Sequence, residues 1–178
     1  MDPIPFGWWL ARAIGMLAYL SLWSSTFFGV LVGARGAGGL VSSATVFELH
    51  RAWSLVAVLT TLVHVAVVIV DPEGHVALPE ALLAYGTTGA VRLGAVALWA
   101  LGAVAVTTAL KNRLSQWVWR AVHASAFGAF LVAWTHAFMA GTDTADPLVR
   151  ALYVGTAAAL AAAVAQRVLL ATASTSRA

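Results

Sequence analysis

The chain has 178 residues, of which 61% are hydrophobic and only 10% are charged, with a formal net charge of +3 and no cysteine. Soluble domains carry about 45–50% apolar and about 25% charged residues, so the composition excludes a water-soluble globule and a disordered tail. The few basic residues form no cluster dense enough to bind phosphates, which excludes a nucleic-acid partner. The absence of cysteine excludes disulfides and every cofactor site that needs a thiolate.

Five stretches are apolar over the roughly 20 residues that a helix needs to cross a bilayer core. Their apolar residues lie on all sides and do not alternate as in a barrel strand. We therefore predict an all-α membrane protein in which residues 1–178 form one transmembrane domain. The first stretch lacks the basic residues that begin a signal peptide, so we expect it to be retained. The predicted spans are 6–34, 45–70, 89–110, 115–140 and 147–170.

Several residues predict where helices begin and end. Thr45 and Glu48 have the spacing of a capping box at the start of the second span. Asp146 precedes a proline, as an N-cap followed by the first helical position, and Gly141 is suited to end the fourth span. Residues 78–85 are predicted to form a short helix on the membrane surface.

Charge and tryptophan positions predict the orientation. With five spans, seven basic residues fall on the side of the C-terminus and three on the other, which places the N-terminus outside and the C-terminus in the cytoplasm. Trp8 and Trp9 would then belong to the outer interface, and Trp117 and Trp119 to the inner one. The basic residues on the inner side are Arg35, Arg51, Lys111, Arg113, Arg120, Arg167 and Arg177, and those on the outer side are Arg12, Arg92 and Arg150.

Four of the five histidines fall inside spans, and the fifth, His75, falls in a loop. His50 and His64 share the second span, while His123 and His136 share the fourth. Ionisable residues at such depth are costly and usually functional. The alternative, a histidine that only bonds a neighbouring helix, is reasonable for any one residue and less so for four that are paired on two helices.

The depths of these histidines match between the two spans, which run in the same direction. Each outer histidine precedes an aspartate by seven residues, and each inner histidine lies within three residues of an arginine. These neighbours are Asp71 for His64, Asp143 for His136, Arg51 for His50 and Arg120 for His123. We predict that His64 faces His136 and that His50 faces His123, at levels roughly 20 Å apart.

That spacing fits two stacked haems, each held between two imidazoles. Two histidine ligands leave no open position on the iron, which suits electron transfer rather than oxygen activation. A metal-transport path would need carboxylates beside the histidines, and the segments between the two levels contain none.

The spacing on the fourth span is irregular. The fourteen residues from His50 to His64 bring the side chain back to within about 40° on an ideal helix, whereas the thirteen from His123 to His136 leave about 140°. The fourth span must bend, contain a bulge near Gly128, or present its imidazoles from different sides.

Two segments resemble the ligand helices of the ferric reductase-like transmembrane domain superfamily. They are residues 48–55 with His64 (Glu-Leu-His-Arg, then Ser-Leu) and residues 119–123 (Trp-Arg-Ala-Val-His) with His136 and the Ala-Gly-Thr-Asp that ends at 143. The superfamily contains ferric reductases, NADPH oxidases and the haem subunit of the bacterial methionine sulfoxide reductase system. The oxidases have the same fourteen- and thirteen-residue spacings.

The resemblance implies electron flow through two b-type haems, with His50 and His123 as inner ligands and His64 and His136 as outer ligands. It also implies a bacterial-type cytoplasmic membrane. Full-length reductases continue into a flavin and nicotinamide domain, whereas this chain ends shortly after its last span, and its Gly-rich run at 33–39 follows no strand. The resemblance therefore implies a separate redox partner, which is a flavoprotein, a quinol or a larger complex.

Secondary candidates have two interpretations each. Arg51 and Arg120 could bind the propionates of the inner haem and Arg12 and Arg92 those of the outer haem, or all four could anchor the protein at the headgroups. Phe130 could lie between the haems or face lipid or another helix. A further set of glycines is expected to allow close packing of helices or haem. These are Gly15, Gly94 and Gly102.

Three functions follow from the sequence. The first is a di-haem b subunit that carries electrons between a cytoplasmic flavoprotein or quinol and an external acceptor. The second is a quinol-oxidising cytochrome b anchor of a larger redox enzyme. The third is a haem-free membrane protein that acts in assembly or transport.

Overall fold

The structure is a computed structural model, and it describes residues 6–33, 41–71, 76–85 and 88–175. Within those ranges the chain is helical with no strand, and five segments are long and apolar enough to cross a membrane, as predicted. The fourth of these segments consists of two helices. The helices are α1 (Phe6–Gly33), α2 (Ser43–Val70), α3 (Leu78–Leu83), α4 (Gly89–Ala109), α5 (Gln116–Ala124), α6 (Ala126–Ala140) and α7 (Pro147–Thr175). His75 and most of the Gly-rich run lie outside the described residues.

Of the predicted capping residues, two agree with the structure and one does not, and α7 continues to Thr175, beyond the predicted end at 170. Asp146 caps α7 by accepting a hydrogen bond from the backbone N–H of Leu148 at 2.7 Å, and Gly141 ends α6. The start of α2 was predicted wrongly, because its N-cap is Ser42, whose hydroxyl accepts from the backbone N–H of Thr45 at 3.1 Å. Glu48 instead forms an ion pair with Arg51.

Helix α1 is the centre of the bundle, because it packs along α2 on one side and against α6 and α7 on the other. Helix α4 packs mainly against α6 and touches α2 only lightly. The helices that carry the histidines, α2 and α5–α6, are therefore held by α1 and α4 rather than by each other. This arrangement leaves room between the two histidine-bearing helices.

Polar side chains fasten α7 to the bundle. The hydroxyls of Tyr19 and Thr156 lie 2.5 Å apart, and the indole N–H groups of Trp23 and Trp134 donate to the backbone oxygens of Thr156 and Tyr153 at 2.8 and 3.1 Å. Lipid is as apolar as a leucine side chain, so helices in a membrane associate through packing and hydrogen bonds of this kind.

The fourth span is interrupted at Ser125, three residues before the position near Gly128 that was one predicted site for a bulge. The backbone N–H of Ser125 bonds to the carbonyl of Val122 at 3.1 Å, which is the tighter i to i−3 pattern of a 3-10 turn, and the α-helical pattern resumes with Ala129 bonding to Ser125. A 3-10 turn has 3.0 residues instead of 3.6, so it rotates the chain further per residue. This overwinding moves His136 back towards the face that carries His123.

The aromatic core at the middle of the bundle decides the position of Phe130. Its ring is buried and stacks on Tyr19 with centroids 6.3 Å apart, and Tyr19 also contacts Tyr153 at 4.8 Å. Phe130 therefore faces neighbouring helices and not lipid.

We predict that Phe130→Ala destabilises the bundle by on the order of 3 kcal/mol, the lower end for a core phenylalanine, because it leaves a cavity under Tyr19. Phe127→Ala, three residues earlier on the same helix, is the control, since Phe127 is 40% exposed against 2% for Phe130. Thermal unfolding in detergent should show a clear loss for the first variant and little change for the second. Equal losses would contradict the packing described.

Candidate functional site

The four membrane histidines come together in two pairs, with the pairing that their depths predict. The imidazole rings of His50 and His123 have centroids 6.0 Å apart and planes at 83°. His64 and His136 line one cavity of about 590 Å³, whose walls come from α1, α2, α4 and α6. Among the described residues no three His, Cys, Asp or Glu side chains group as in a metal site.

Three of these histidines bond in the same way, through Nδ1 to a backbone oxygen of a neighbouring helix. The bonds run from His50 to Ser25 at 2.9 Å, from His64 to Ala11 at 3.1 Å and from His136 to Ala90 at 2.7 Å. A carbonyl oxygen can only accept, so in each neutral ring Nδ1 carries the hydrogen. The lone pair of Nε2 is consequently available in all three rings, which is the tautomer that binds a metal through Nε2.

A glycine next to each of these bonds makes room for the imidazole ring. A Cβ at Gly15 would lie 2.8 Å from Cε1 of His64, and one at Gly94 would lie 2.7 Å from Cε1 of His136. A Cβ at Gly29 would lie 3.2 Å from Cε1 of His50. Gly15 and Gly94 thus serve the close approach that the sequence predicted, although to a histidine ring, whereas a Cβ at Gly102 would meet no atom within 4 Å.

The acceptor and the glycine are always four residues apart, a spacing that was not predicted from the sequence. The pairs are Ala11 with Gly15, Ser25 with Gly29, and Ala90 with Gly94. The two pairs on α1 are separated by fourteen residues, the same spacing as His50 and His64 on the antiparallel α2. This repeated spacing of a small residue and a glycine was the available signal, and it would also have identified Gly29.

His123 is held differently from the other three. Its Nδ1 lies 3.5 Å from the hydroxyl of Thr108 on α4, and its ring stacks on Trp119 with centroids 5.1 Å apart and planes at 27°. Trp119 was predicted to belong to the inner aromatic belt, but its indole N–H is buried and has no hydrogen-bond partner in the described part of the chain. Its neighbour Trp117 is the one that faces outward.

The candidate arginines separate into one that lines the outer cavity and three that are exposed. Arg12 forms an ion pair with Asp143, with its Nε 2.9 Å from Oδ2, and its guanidinium lies 4.5 Å from the centre of the Trp9 ring. Arg12 and Asp143 both line the cavity of His64 and His136. The exposed arginines are Arg51, which binds Glu48 through both carboxylate oxygens, Arg92 on the first turn of α4, and Arg120 on α5.

Comparison with family models, with curated proteins and with solved structures gives no match for this chain. What the site can do is therefore inferred from its residues and their geometry.

We predict that Arg12 and Asp143 stabilise the fold together, because their half-buried ion pair joins α1 to the turn that follows α6. A double-mutant cycle with Arg12→Gln and Asp143→Asn should give a coupling energy of about 1 kcal/mol or more. The same cycle on Arg51 and Glu48, whose side chains are 64% and 63% exposed, should give about 0.3–0.5 kcal/mol. Unfolding free energies measured in detergent test this, and a larger coupling for the exposed pair would contradict it.

Proposed function

We propose that this protein is a transmembrane electron-transfer subunit that holds two b-type haems, one between His50 and His123 and one between His64 and His136. The observation that carries the proposal is the pairing of four imidazoles at two depths, three of them fixed by carbonyls in the tautomer that leaves Nε2 available. His50, His123, His64 and His136 would hold the haem iron, which would supply reversible one-electron oxidation and reduction.

The separation of the inner pair is compatible with one metal between two rings. A ligand nitrogen lies about 2 Å from its metal and its ring centre about 3 Å away, so two rings that hold one metal would have centres within about 6 Å of each other. The centroids of His50 and His123 are 6.0 Å apart. The outer cavity, at about 590 Å³, lies within the range of about 300–1,000 Å³ that is usual for cofactor pockets.

Polar groups near each pair suit the anionic propionates of a haem. Arg12 lines the outer cavity, and its five N–H groups exceed what Asp143 alone can accept. At the inner pair the indole N–H of Trp119 is a buried donor that needs an acceptor. Trp119 was not among the propionate candidates from the sequence, and it fits that role better than the exposed Arg51 and Arg120.

The remaining residues orient the ligands and exclude water. The walls of the outer cavity are mostly apolar side chains such as Met16, Leu22, Val65 and Leu98, which keep water away and influence the redox potential. We assign no catalytic residue.

With the N-terminus outside, as the basic residues favour, His64 and His136 lie near the external side and His50 and His123 near the cytoplasm. The proposed donor is therefore a separate cytoplasmic flavoprotein or a membrane quinol, and the proposed acceptor is external. The membrane would be a bacterial-type cytoplasmic membrane.

We predict two haems per purified chain, with a sharp low-spin α band of the b type in the reduced-minus-oxidised spectrum. His64→Ala and His136→Ala should each lower the content to about one haem by removing the outer one, because each takes away one of its two ligands. His75→Ala is the control, since His75 lies outside the predicted spans.

A protein without haem would contradict the proposal and leave an assembly or transport role. Loss of the inner haem alone in His64→Ala would contradict the pairing. Reduction of the wild-type protein by a quinol, compared with reduction by NADPH and a flavin reductase, would then identify the donor.

We predict that Gly94→Ala selectively weakens the outer haem, because the new methyl group would lie 2.7 Å from Cε1 of His136 and displace its ring. Gly102→Ala on the same helix is the matched control, since its methyl group would meet no atom within 4 Å. The haem content of each variant and its rate of haem loss to a scavenger protein are the measurements. Equal behaviour of the two variants would show that Gly94 has no special part in holding His136.

A further inference from the structure

One histidine of the inner pair lacks the backbone acceptor that the other three histidines have. His50, His64 and His136 each donate from Nδ1 to a backbone oxygen at 2.7–3.1 Å. His123 has instead the hydroxyl of Thr108, at 3.5 Å. A backbone oxygen cannot be changed by substitution of its residue, whereas a side-chain hydroxyl can.

Thr108 occupies the position that a glycine occupies beside each of the other three histidines. Gly94 on the same helix lies against His136, and Thr108 follows it by fourteen residues, the interval that also separates Gly15 from Gly29 on α1. Where the other three histidines have space beside a carbonyl, His123 therefore has a hydroxyl-bearing side chain.

Because of the hydroxyl of Thr108, the hydrogen of the neutral His123 ring can lie on either Nδ1 or Nε2. Unlike a carbonyl, a hydroxyl can accept a hydrogen bond or donate one. If it accepts, Nδ1 carries the hydrogen and Nε2 is free to bind a metal. If it donates, the hydrogen of the neutral ring lies on Nε2, and that nitrogen is blocked.

We propose that Thr108 is a positioning residue for His123. Its hydroxyl accepts the Nδ1 hydrogen of His123, turns Nε2 towards the inner site and thereby sets the redox potential there. This inference rests on the proposed function. Trp119 holds the plane of the His123 ring by stacking, so Thr108 determines the tautomer and the electron density of the imidazole. An acceptor at Nδ1 makes the ligand more basic, which favours the more highly charged oxidised iron and lowers the potential of the inner haem.

The test is a potentiometric titration of the haem-loaded protein with Thr108 replaced by valine or serine. In Thr108→Val we expect the midpoint potential of the inner haem to shift upward while that of the outer haem stays unchanged. Thr108→Ser keeps the hydroxyl and should return the inner potential to the wild-type value. Repeating the titration in the His64→Ala background, which is expected to keep only the inner haem, assigns the shift.

Thr107→Val is the matched control. Thr107 is the adjacent residue, and its hydroxyl donates within its own helix to the carbonyl of Ala103 at 2.7 Å, so the inner potential should not move. Stability is not at issue, because Thr108 is exposed in the structure and valine has nearly its shape.

Each result decides the question. An unchanged inner potential in Thr108→Val, or the same shift in Thr107→Val, would overturn the inference while leaving the two haems in place. A downward shift would also overturn it, because the loss of an acceptor at Nδ1 makes the ligand less basic and is expected to raise the potential. A wild-type protein that binds no haem would overturn the proposed function, and the inference with it.

Discussion

The N–H group of an imidazole buried among apolar helices has to find an acceptor, and this requirement organises the site. Water is absent from the interior of a bilayer, and an unsatisfied polar group there costs several kcal/mol. The acceptors within reach are backbone carbonyls and hydroxyls. Three histidines use carbonyls of an adjacent helix, and each of these bonds fixes both the direction of the ring and the nitrogen that carries its hydrogen.

A helix carbonyl can be reached from the side only where the side chains around it are small. The acceptors Ala11, Ser25 and Ala90 are small residues, and a glycine follows each of them by four positions. Because residues four apart share one face of a helix, the pair opens a shallow depression into which the imidazole fits. Small residues on transmembrane helices usually let two backbones approach each other, and in this protein they admit a side chain instead.

Much of this architecture could be predicted from the sequence, and the reasons are local. The five spans follow from apolar length, and the cap of α7 from Asp146 and Pro147. The two levels of histidines follow from counting residues along parallel helices, since rise per residue hardly varies. The metal-binding role of the four histidines stays a prediction.

The rest depended on contacts between residues that are distant in the sequence. The interruption at Ser125 brings two histidines that are thirteen residues apart closer to one face of the span. A serine in the sequence does not by itself indicate such a break. Trp117 and Trp119 have identical side chains two positions apart, and only the packing of α5 determines which one turns inward. Arg12 and Asp143 are separated by most of the chain, so their ion pair could not be predicted from the sequence around either residue.

The equal intervals on α1 and α2 have a consequence for how the protein can change over evolutionary time. The outer pair, Ala11 and Gly15, and the inner pair, Ser25 and Gly29, belong to one uninterrupted helix. The distance between the two levels is therefore set by the number of residues between the pairs. A single insertion or deletion between Gly15 and Gly29 would rotate the outer pair by about 100° relative to the inner pair. One histidine would then lose its acceptor. Substitutions can therefore change each level independently, whereas a change in the number of residues between the levels would disrupt one of them.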